Sequence, residues 1–112
     1  MNITNYFEKT KELLYTGIIQ KLSSPIEIYI ETTNICNLNC IYCYKGKLDD
    51  NEPVFFSVSL LKKLLKELEG ISTPVLFVLE GGEPILHPDI IQMIELIKNY
   101  GHVIDLLTNG EL

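Results

Sequence analysis

Cysteine is scarce in this sequence: there are three, and all of them lie between residues 36 and 43. An odd number of thiols does not fit a framework of paired disulfides. The first 22 residues carry charged side chains where a secretory leader would need an apolar core. These are Glu8, Lys9, Lys11 and Glu12. We therefore expect reduced thiols and a cytoplasmic protein.

Long apolar runs are also missing. No stretch approaches the roughly 20 apolar residues of a membrane-spanning helix, so we expect no association with membranes. The net charge of −6 at pH 7 argues against non-specific binding to nucleic acid or anionic lipid. With 112 residues, 46% hydrophobic and 21% charged, and with no repeats, the chain has the composition of one small globular domain.

The three cysteines, Cys36, Cys40 and Cys43, have the spacing C-x3-C-x2-C. A cubane iron–sulfur cluster is normally held by four thiolates, so three would leave one iron open to a substrate or cofactor. A zinc site is less favoured, because His87 and His102 do not follow the spacing of zinc ligands. A small iron–sulfur electron carrier stays open as an alternative, although such a protein normally gives the fourth iron a protein ligand.

A second motif strengthens the interpretation of the cysteines as a cluster site. The run GGEP at residues 81–84 directly follows an apolar run at residues 75–79, as the cysteines follow a strand-like run at residues 26–30. With the aromatic residue Tyr42 just before the last cysteine, this arrangement resembles the radical S-adenosylmethionine (radical SAM) superfamily. The resemblance covers about residues 25–112. It implies a 4Fe-4S cluster and S-adenosylmethionine as cofactors.

The resemblance also implies a role for each motif residue. The cysteines would bind three irons, and the amino and carboxylate groups of S-adenosylmethionine would chelate the fourth. The glycine turn would bind the amino group of the cofactor, the aromatic residue would lie near its adenine, and a polar residue after the third strand would be a further contact. In this order the residues are Cys36, Cys40 and Cys43 for the cluster, and Gly81, Gly82, Glu83, Tyr42 and Asn109 for the cofactor.

The chemistry implied by the resemblance is radical chemistry. One electron from a reductant such as a flavodoxin or ferredoxin would cleave S-adenosylmethionine to methionine and a 5′-deoxyadenosyl radical, which abstracts hydrogen from the substrate. The residues Thr33-Asn34-Ile35 and the GGEP turn are similar to those of the branch that modifies peptides or proteins. We therefore expect a peptide or protein substrate.

Several of these residues also have a simpler structural interpretation. Glycines let the backbone approach a ligand closely, but they also suit a tight turn. Tyr42 could be a hydrophobic plug beneath the loop. Asn109-Gly110 is a strong turn signal, and His87 is most simply a residue at a helix start.

Hydrophobic periodicity predicts three helices and three strands. The helices are expected at residues 4–21, from Ser57 as N-cap to about residue 69, and from Pro88 to the residue before Gly101; the strands are expected at residues 25–33, 75–80 and 102–107. Alternation predicts that the first strand has one exposed face, whereas the continuous apolar second strand is covered on both. The predicted buried stripes are Phe7, Leu14, Ile18 and Leu22, then Leu61, Leu64, Leu65 and Leu68, then Ile90, Ile91, Ile94 and Ile97.

Strands that alternate with helices predict an α/β fold with a parallel sheet. We expect a partial TIM-barrel-type sheet made of the first two strand–helix units plus a third strand, preceded by an N-terminal helix. Residues 1–24 would be a helical extension, and residues 25–112 an incomplete N-terminal portion of a radical SAM core. Such a piece leaves strand edges uncovered, so we expect a fragment, a truncated gene product or one part of a split protein, with a non-catalytic fragment as the alternative.

Overall fold

A computed structural model describes residues 2–15, 25–38, 40–41, 52–71 and 73–111 of the chain. Helices and strands alternate along these residues. The order is helix α1 (Ile3–Tyr15), strand β1 (Glu27–Glu31), helix α2 (Val58–Glu67), strand β2 (Leu76–Glu80), a short 3₁₀ helix (Pro84–Leu86), helix α3 (Ile90–Asn99) and strand β3 (Val103–Leu106). The strands are shorter than predicted by at most two residues at either end, which is ordinary for element boundaries.

The three strands form one parallel sheet in the order β1-β2-β3. Residues 76–79 of the central strand β2 are all buried, as its continuous apolar run predicts. Strand β1 lies at an edge, where Ile30 is buried but Tyr29 is 59% exposed. Both predictions about the strand faces are confirmed. The fold is α/β with an open, all-parallel sheet, consistent with a partial TIM-barrel unit.

Helix α2 makes the crossover from β1 to β2, and its capping residues set its limits. Ser57 is the N-cap, and its hydroxyl accepts a hydrogen bond from the Leu60 N–H at 3.4 Å. Gly70, beyond the last turn, has φ +83°, which glycine adopts without strain. Leu61 and Leu65 are fully buried in the core. The predicted N-cap, stop and apolar stripe of this helix are confirmed.

Helix α3 begins later than its sequence suggests. The 3₁₀ helix follows the glycine turn, and α3 then begins at Ile90 with Asp89 as its N-cap residue. Pro88 lies in the turn between the two helices, so the prediction that it is the first helical residue was wrong. The physical reason is the His87 side chain, whose Nδ1 accepts a hydrogen bond from the Asp89 N–H at 2.9 Å and holds this turn.

The buried stripe of α3 consists of Ile90, Met93 and Ile97. Ile91, which was predicted to be buried, is 66% exposed. The error arises because neighbouring isoleucines satisfy a period of 3.6 residues on more than one face, and only the position of the sheet selects the face that is buried. The helix is followed by Gly101 at φ +85°, so the predicted glycine stop is confirmed.

Helices α2 and α3 cover one face of the sheet, and the principal core lies beneath them. Successive strand side chains point to opposite faces, so Phe77 and Leu79 of β2 pack against these helices. Leu76 and Val78 point to the other face, where they form a smaller cluster with Tyr6 of α1. The central strand is thereby covered on both sides.

Helix α1 contacts this second face through Tyr6, which is 2% exposed and whose hydroxyl donates to the Ile26 carbonyl. Phe7, predicted in the buried stripe, is 48% exposed, so that prediction was wrong by one residue. The predicted helix over residues 16–21 and the side chains of the other stripe residues, Leu14, Ile18 and Leu22, lie outside the described parts. None of the described helices is long and apolar enough to cross a membrane.

Candidate cofactor site

The turn after β2 lies directly beside the segment that leads from β1 into the cysteines. The Gly82 N–H donates to the Thr33 carbonyl at 2.8 Å, and the Glu83 N–H donates to the Ile35 carbonyl at 2.7 Å. These bonds continue the contact between the two chain segments past the ends of their strands. The glycine turn is therefore fixed next to the backbone of the residue that precedes Cys36.

The protein's own backbone requires glycine at both positions of this turn. A Cβ atom at Gly82 would lie 2.0 Å from the Ile35 carbonyl oxygen, and one at Gly81 would lie 2.5 Å from the Thr33 carbonyl oxygen. Gly81 also has φ +126°, which favours glycine. We expected these glycines to admit a ligand. The close approach that the structure shows is to the neighbouring chain segment.

Two of the three predicted cluster ligands lie among the described residues, in the segment that follows β1 at the carboxyl edge of the sheet. Cys36 and Cys40 are free thiols, each partly buried, and the Leu38 N–H donates to the Cys36 Sγ at 3.5 Å. Tyr42 and Cys43 lie outside the described residues. Among the described residues, no three His, Cys, Asp or Glu side chains are grouped so that they could hold a metal ion. The complete set of three thiolate ligands therefore stays a prediction.

The carboxylate of Glu83 is buried, with the residue 1% exposed, and it is held by groups of its own chain. Oε1 accepts hydrogen bonds from the Ile85 N–H at 3.2 Å and from the Thr108 hydroxyl, and Oε2 accepts from the Asn109 N–H at 2.8 Å. Burial of a carboxylate requires such partners. The resemblance implies that Glu83 contacts the cofactor, and that contact stays a prediction. In the structure its carboxylate joins the glycine turn to the end of β3.

Asn109 lies beyond the end of β3, next to the cysteine segment. Its Nδ2 donates to the Asn37 Oδ1 at 2.9 Å, the Asn37 Nδ2 donates to the Glu111 carbonyl at 2.7 Å, and the Glu111 N–H donates to the Asn109 Oδ1 at 2.8 Å. These bonds join the residue after Cys36 to the residues that follow β3. The structure thus brings Asn109 to the predicted site, and its contact with a cofactor stays a prediction.

Residues 52–56, which precede α2, form hydrogen bonds with the segment that leads from β1 to the cysteines. The Asn34 Nδ2 donates to the Glu52 carbonyl at 2.8 Å, and its Oδ1 accepts from the Val54 N–H at 2.8 Å. The Phe56 N–H donates to the Thr32 carbonyl at 2.8 Å. The segment at residues 32–35, which leads from β1 to the cysteines, is therefore hydrogen-bonded on one side to the glycine turn and on the other to residues 52–56.

His87 has a structural role at this edge. The residue is 3% exposed. Because Nδ1 accepts from the Asp89 N–H, the ring proton lies on Nε2, which donates to the Phe56 carbonyl at 2.8 Å. The ring also meets Phe55 edge-on, with centroids 5.5 Å apart. Both ring nitrogens are engaged with backbone groups, which supports the simpler interpretation of His87.

Acidic side chains from all three strands lie on the sheet face that carries α1: Glu27 of β1, Glu80 of β2 and Asp105 of β3. The Tyr29 hydroxyl donates to the Glu27 Oε2 at 3.1 Å. This hydrogen bond and the negative charge of Glu27 raise the pKa of Tyr29, with smaller contributions from Glu80 and Asp105. A tyrosine is protonated at neutral pH even at its ordinary pKa of 10.0, so the raised pKa leaves its role as a hydrogen-bond donor unchanged.

Sequence reasoning missed Asn37 and Thr108, although each is next to a residue that it selected. Asn37 follows the first cysteine, and Thr108 precedes Asn109. The signal that could have found them is topological. The residues that follow parallel strands meet at one edge of the sheet, so polar side chains after β1 and β3 can contact one another.

A parallel sheet with thiols and a glycine turn side by side at its carboxyl edge is typical of α/β proteins that carry a cofactor there. Comparison with known families agrees with this class, because the profile of the radical SAM superfamily matches residues 30–112. The chain belongs to the radical SAM superfamily.

Individual relatives cover the same part of the chain. The chain is 33% identical over 86 residues to the tungsten-containing aldehyde ferredoxin oxidoreductase cofactor-modifying protein of Pyrococcus furiosus, over 76% of this chain and 24% of that protein. It is 30% identical over 95 residues to the AdoMet-dependent heme synthase of Methanosarcina barkeri (85% and 27%). It is 31% identical over 88 residues to the probable GTP 3′,8-cyclase of Methanothermobacter thermautotrophicus (78% and 28%). The chain thus spans about a quarter of the length of these relatives.

Proposed function

We propose that the chain binds a 4Fe-4S cluster through Cys36, Cys40 and Cys43, binds S-adenosylmethionine beside it, and provides this site to a radical SAM enzyme. The observation that carries the proposal is the pair of backbone hydrogen bonds that hold the glycine turn against the segment entering the cysteine loop. The glycine turn thereby lies beside the segment that leads to Cys36, although the two are far apart in the sequence. A cofactor that chelates an iron of the cluster needs this proximity.

The chemistry of the donor set fits an iron–sulfur cluster. Cys36 and Cys40 are free and partly accessible, so iron can reach their sulfur atoms. Cys43 would complete the set, and family membership supports the same three positions. Since a cubane cluster has four irons, three cysteines leave one iron for the amino and carboxylate groups of S-adenosylmethionine.

The glycine turn fits the amino group of that cofactor. Among the described residues, no donor is hydrogen-bonded to the carbonyl oxygens of Gly81 or Gly82. Both residues are partly exposed, so these oxygens can accept hydrogen bonds from an ammonium group. The buried negative charge of Glu83 adds a favourable field for the same group. Tyr42 and Asn109 are the proposed contacts to the rest of the cofactor.

The bound, reduced cluster would supply one electron for the cleavage of S-adenosylmethionine to methionine and a 5′-deoxyadenosyl radical, which would abstract a hydrogen atom from the substrate. The chain's own residues would hold and orient the two cofactors. We propose a flavodoxin or ferredoxin as the electron donor.

The substrate is proposed to be a peptide or protein, on the likeness of residues 33–35 and of the GGEP turn to that branch of the superfamily. The names of the three relatives describe different activities. The activity of the whole protein is therefore part of the proposal.

The test is anaerobic reconstitution with iron and sulfide, followed by low-temperature EPR of the reduced protein with and without S-adenosylmethionine. We expect a reduced-cluster signal that changes when the cofactor is added. A signal that is indifferent to the cofactor would indicate an iron–sulfur electron carrier. Failure to bind iron would contradict the proposed cluster. Tight binding of one zinc ion per chain would instead indicate a zinc site.

Two variants sharpen this test. Cys40→Ala removes a proposed iron ligand and should abolish the cluster signal. Ile41→Ala is the matched control, because the neighbouring Ile41 side chain is fully exposed and should leave iron content unchanged. Full iron content in Cys40→Ala would refute the assignment of the ligands.

A further inference from the structure

The three hydrogen bonds to Glu83 join parts of the chain that are distant in sequence. The Ile85 N–H belongs to the turn that contains Glu83, whereas the Thr108 hydroxyl and the Asn109 N–H belong to the segment after β3. The residue is 1% exposed. A partly buried, charge-assisted set of bonds around a buried carboxylate fixes the positions of the groups it joins more strongly than exposed polar contacts do.

A second set of bonds carries this connection to the cysteine segment. The side-chain amides of Asn37 and Asn109 are joined at 2.9 Å, and Glu111 bonds to both of them through its backbone. Asn37 immediately follows Cys36. The bonds therefore form a continuous path from the glycine turn, through the end of β3, to the first cysteine.

We propose that Glu83 is a positioning residue whose carboxylate ties the segment after β3 to the glycine turn. Thr108, Asn109 and Asn37 extend this tie to the segment at Cys36. Together these bonds set the position of Cys36 relative to the turn that binds the cofactor. The proposal rests on the proposed function. It differs from that function in assigning the Glu83 side chain to the protein's own backbone and hydroxyl donors, and in assigning roles to Thr108 and Asn37.

The donors explain why glutamate is needed. Both carboxylate oxygens of Glu83 accept a hydrogen bond from a backbone N–H, one from Ile85 and one from Asn109. A glutamine has one oxygen and one NH₂ group, so in either orientation it would place an NH₂ group against a backbone N–H. Glu83→Gln should therefore break the tie even though its size is unchanged.

The decisive variants leave the Glu83 side chain in place. Thr108→Val removes the hydroxyl donor at nearly constant size, and Thr108→Ser restores it and is the matched control. Asn37→Ala removes the amide contact next to Cys36. The first readout uses the cofactor-free chain, in which hydrogen exchange of the Asn109 amide measures the tie itself. The second uses the reconstituted protein, with iron content, S-adenosylmethionine affinity and the EPR change on adding the cofactor.

In Thr108→Val we expect faster exchange of the Asn109 amide, unchanged iron content and an affinity for S-adenosylmethionine reduced about tenfold, because the lost bond is to a charged group. Thr108→Ser should behave as the parent protein. Asn37→Ala should weaken the affinity about threefold, since its contact is exposed. The double variant should lose less than the product of the two single losses, because both act on one path.

Parent-like exchange and affinity in Thr108→Val would overturn the proposal. So would a loss of affinity in Glu83→Gln alone, because that result would assign the role of Glu83 to its charge near the cofactor and not to the tie. If the parent protein forms no cluster or ignores S-adenosylmethionine, the proposed function fails separately. In that case the exchange of the Asn109 amide still decides whether the tie exists: faster exchange in Thr108→Val supports it, and unchanged exchange refutes it.

Discussion

The helix-covered face of the sheet and the carboxyl edge of the same sheet are held together by different forces. Beneath α2 and α3, side chains such as Leu61, Leu65, Phe77 and Ile97 are completely buried and apolar. At the carboxyl edge, buried residues such as Glu83 are polar and bind backbone groups of other segments. The first region is stabilised by burial of apolar area, and the second by directional bonds.

The two regions should respond differently to amino-acid substitutions. An apolar core tolerates substitutions of similar volume, because packing has no single direction. A network of hydrogen bonds does not tolerate a change in the pattern of donors and acceptors, even at constant volume. We therefore expect core substitutions to alter stability and edge substitutions to alter the cofactor site.

The largest effect on stability should come from the core. Ile97→Ala removes a side chain that is fully buried in α3, and should lower the free energy of unfolding by about 2–5 kcal/mol. Ile91→Ala is the matched control on the same helix: its side chain is 66% exposed, and the change should stay within about 0.5 kcal/mol. Urea unfolding followed by circular dichroism measures both. Equal losses in the two variants would contradict the assigned face of α3.

The glycine turn should be the most sensitive position of the carboxyl edge. In Gly82→Ala the new Cβ would meet the Ile35 carbonyl oxygen at 2.0 Å, so the turn and the cysteine segment must separate, at a cost of about 1–3 kcal/mol or more. The change in the EPR signal on adding S-adenosylmethionine should be lost. Gly70→Ala is the control, because nothing lies within 4 Å of its added Cβ and only backbone strain results. A normal EPR response to S-adenosylmethionine in Gly82→Ala would contradict the claim that the cofactor site depends on this close contact.

A substitution of His87 distinguishes a structural role of this residue from a role as an iron ligand. His87→Ala removes both ring contacts to the backbone, and should cost roughly 1–3 kcal/mol of stability because the Asp89 N–H and the Phe56 carbonyl lose their partner. Iron content per folded molecule should stay unchanged. Loss of iron without loss of stability would instead make His87 a ligand, so unfolding curves and iron analysis of the same preparation decide between the two roles.

The smallest effect concerns pH. Burial lowers the pKa of His102 from its ordinary value of 6.5, and the Nδ1 of this residue accepts from the Val75 N–H at 3.0 Å. The unfolded chain therefore takes up a proton at a higher pH than the folded chain does. The stability that depends on the neutral ring is complete above about pH 6.5 and is lost as the pH falls below it.

His102→Asn keeps an acceptor for the Val75 N–H but does not titrate. Relative to this variant, the parent protein should lose stability between about pH 7.5 and about pH 5.5. Urea unfolding of both proteins at the two pH values measures the difference. Parallel pH dependences would show that His102 does not contribute.

The accuracy of the sequence predictions follows the range over which each signal acts. Ser57 and Gly70, which delimit α2, were predicted because capping involves only a few neighbouring residues. The face of α3 was predicted incorrectly at Ile91, and that of α1 at Phe7, because periodicity names a stripe only to within about one residue. The later start of α3 was missed because it depends on the His87 side chain.

The same distinction applies to the candidate site. Spacing alone indicated Cys36 and Cys40, and the order of the two motifs indicated the superfamily, which the family comparison confirms. Asn37 and Thr108 were not found, because their partners are about 70 and 25 residues away in the sequence. The three-cysteine set, including Cys43 beyond the described residues, stays a prediction.

The order of helices and strands, the parallel sheet and the two motifs of the superfamily can be derived from the sequence, because periodicity, capping and spacing are properties of short segments. The buried faces of the helices, the need for glycine at Gly82 and the partners of Glu83 become clear only in the folded chain. These depend on how closely distant segments approach one another, and that distance is set by the packing of the whole sheet and not by any one segment of the chain.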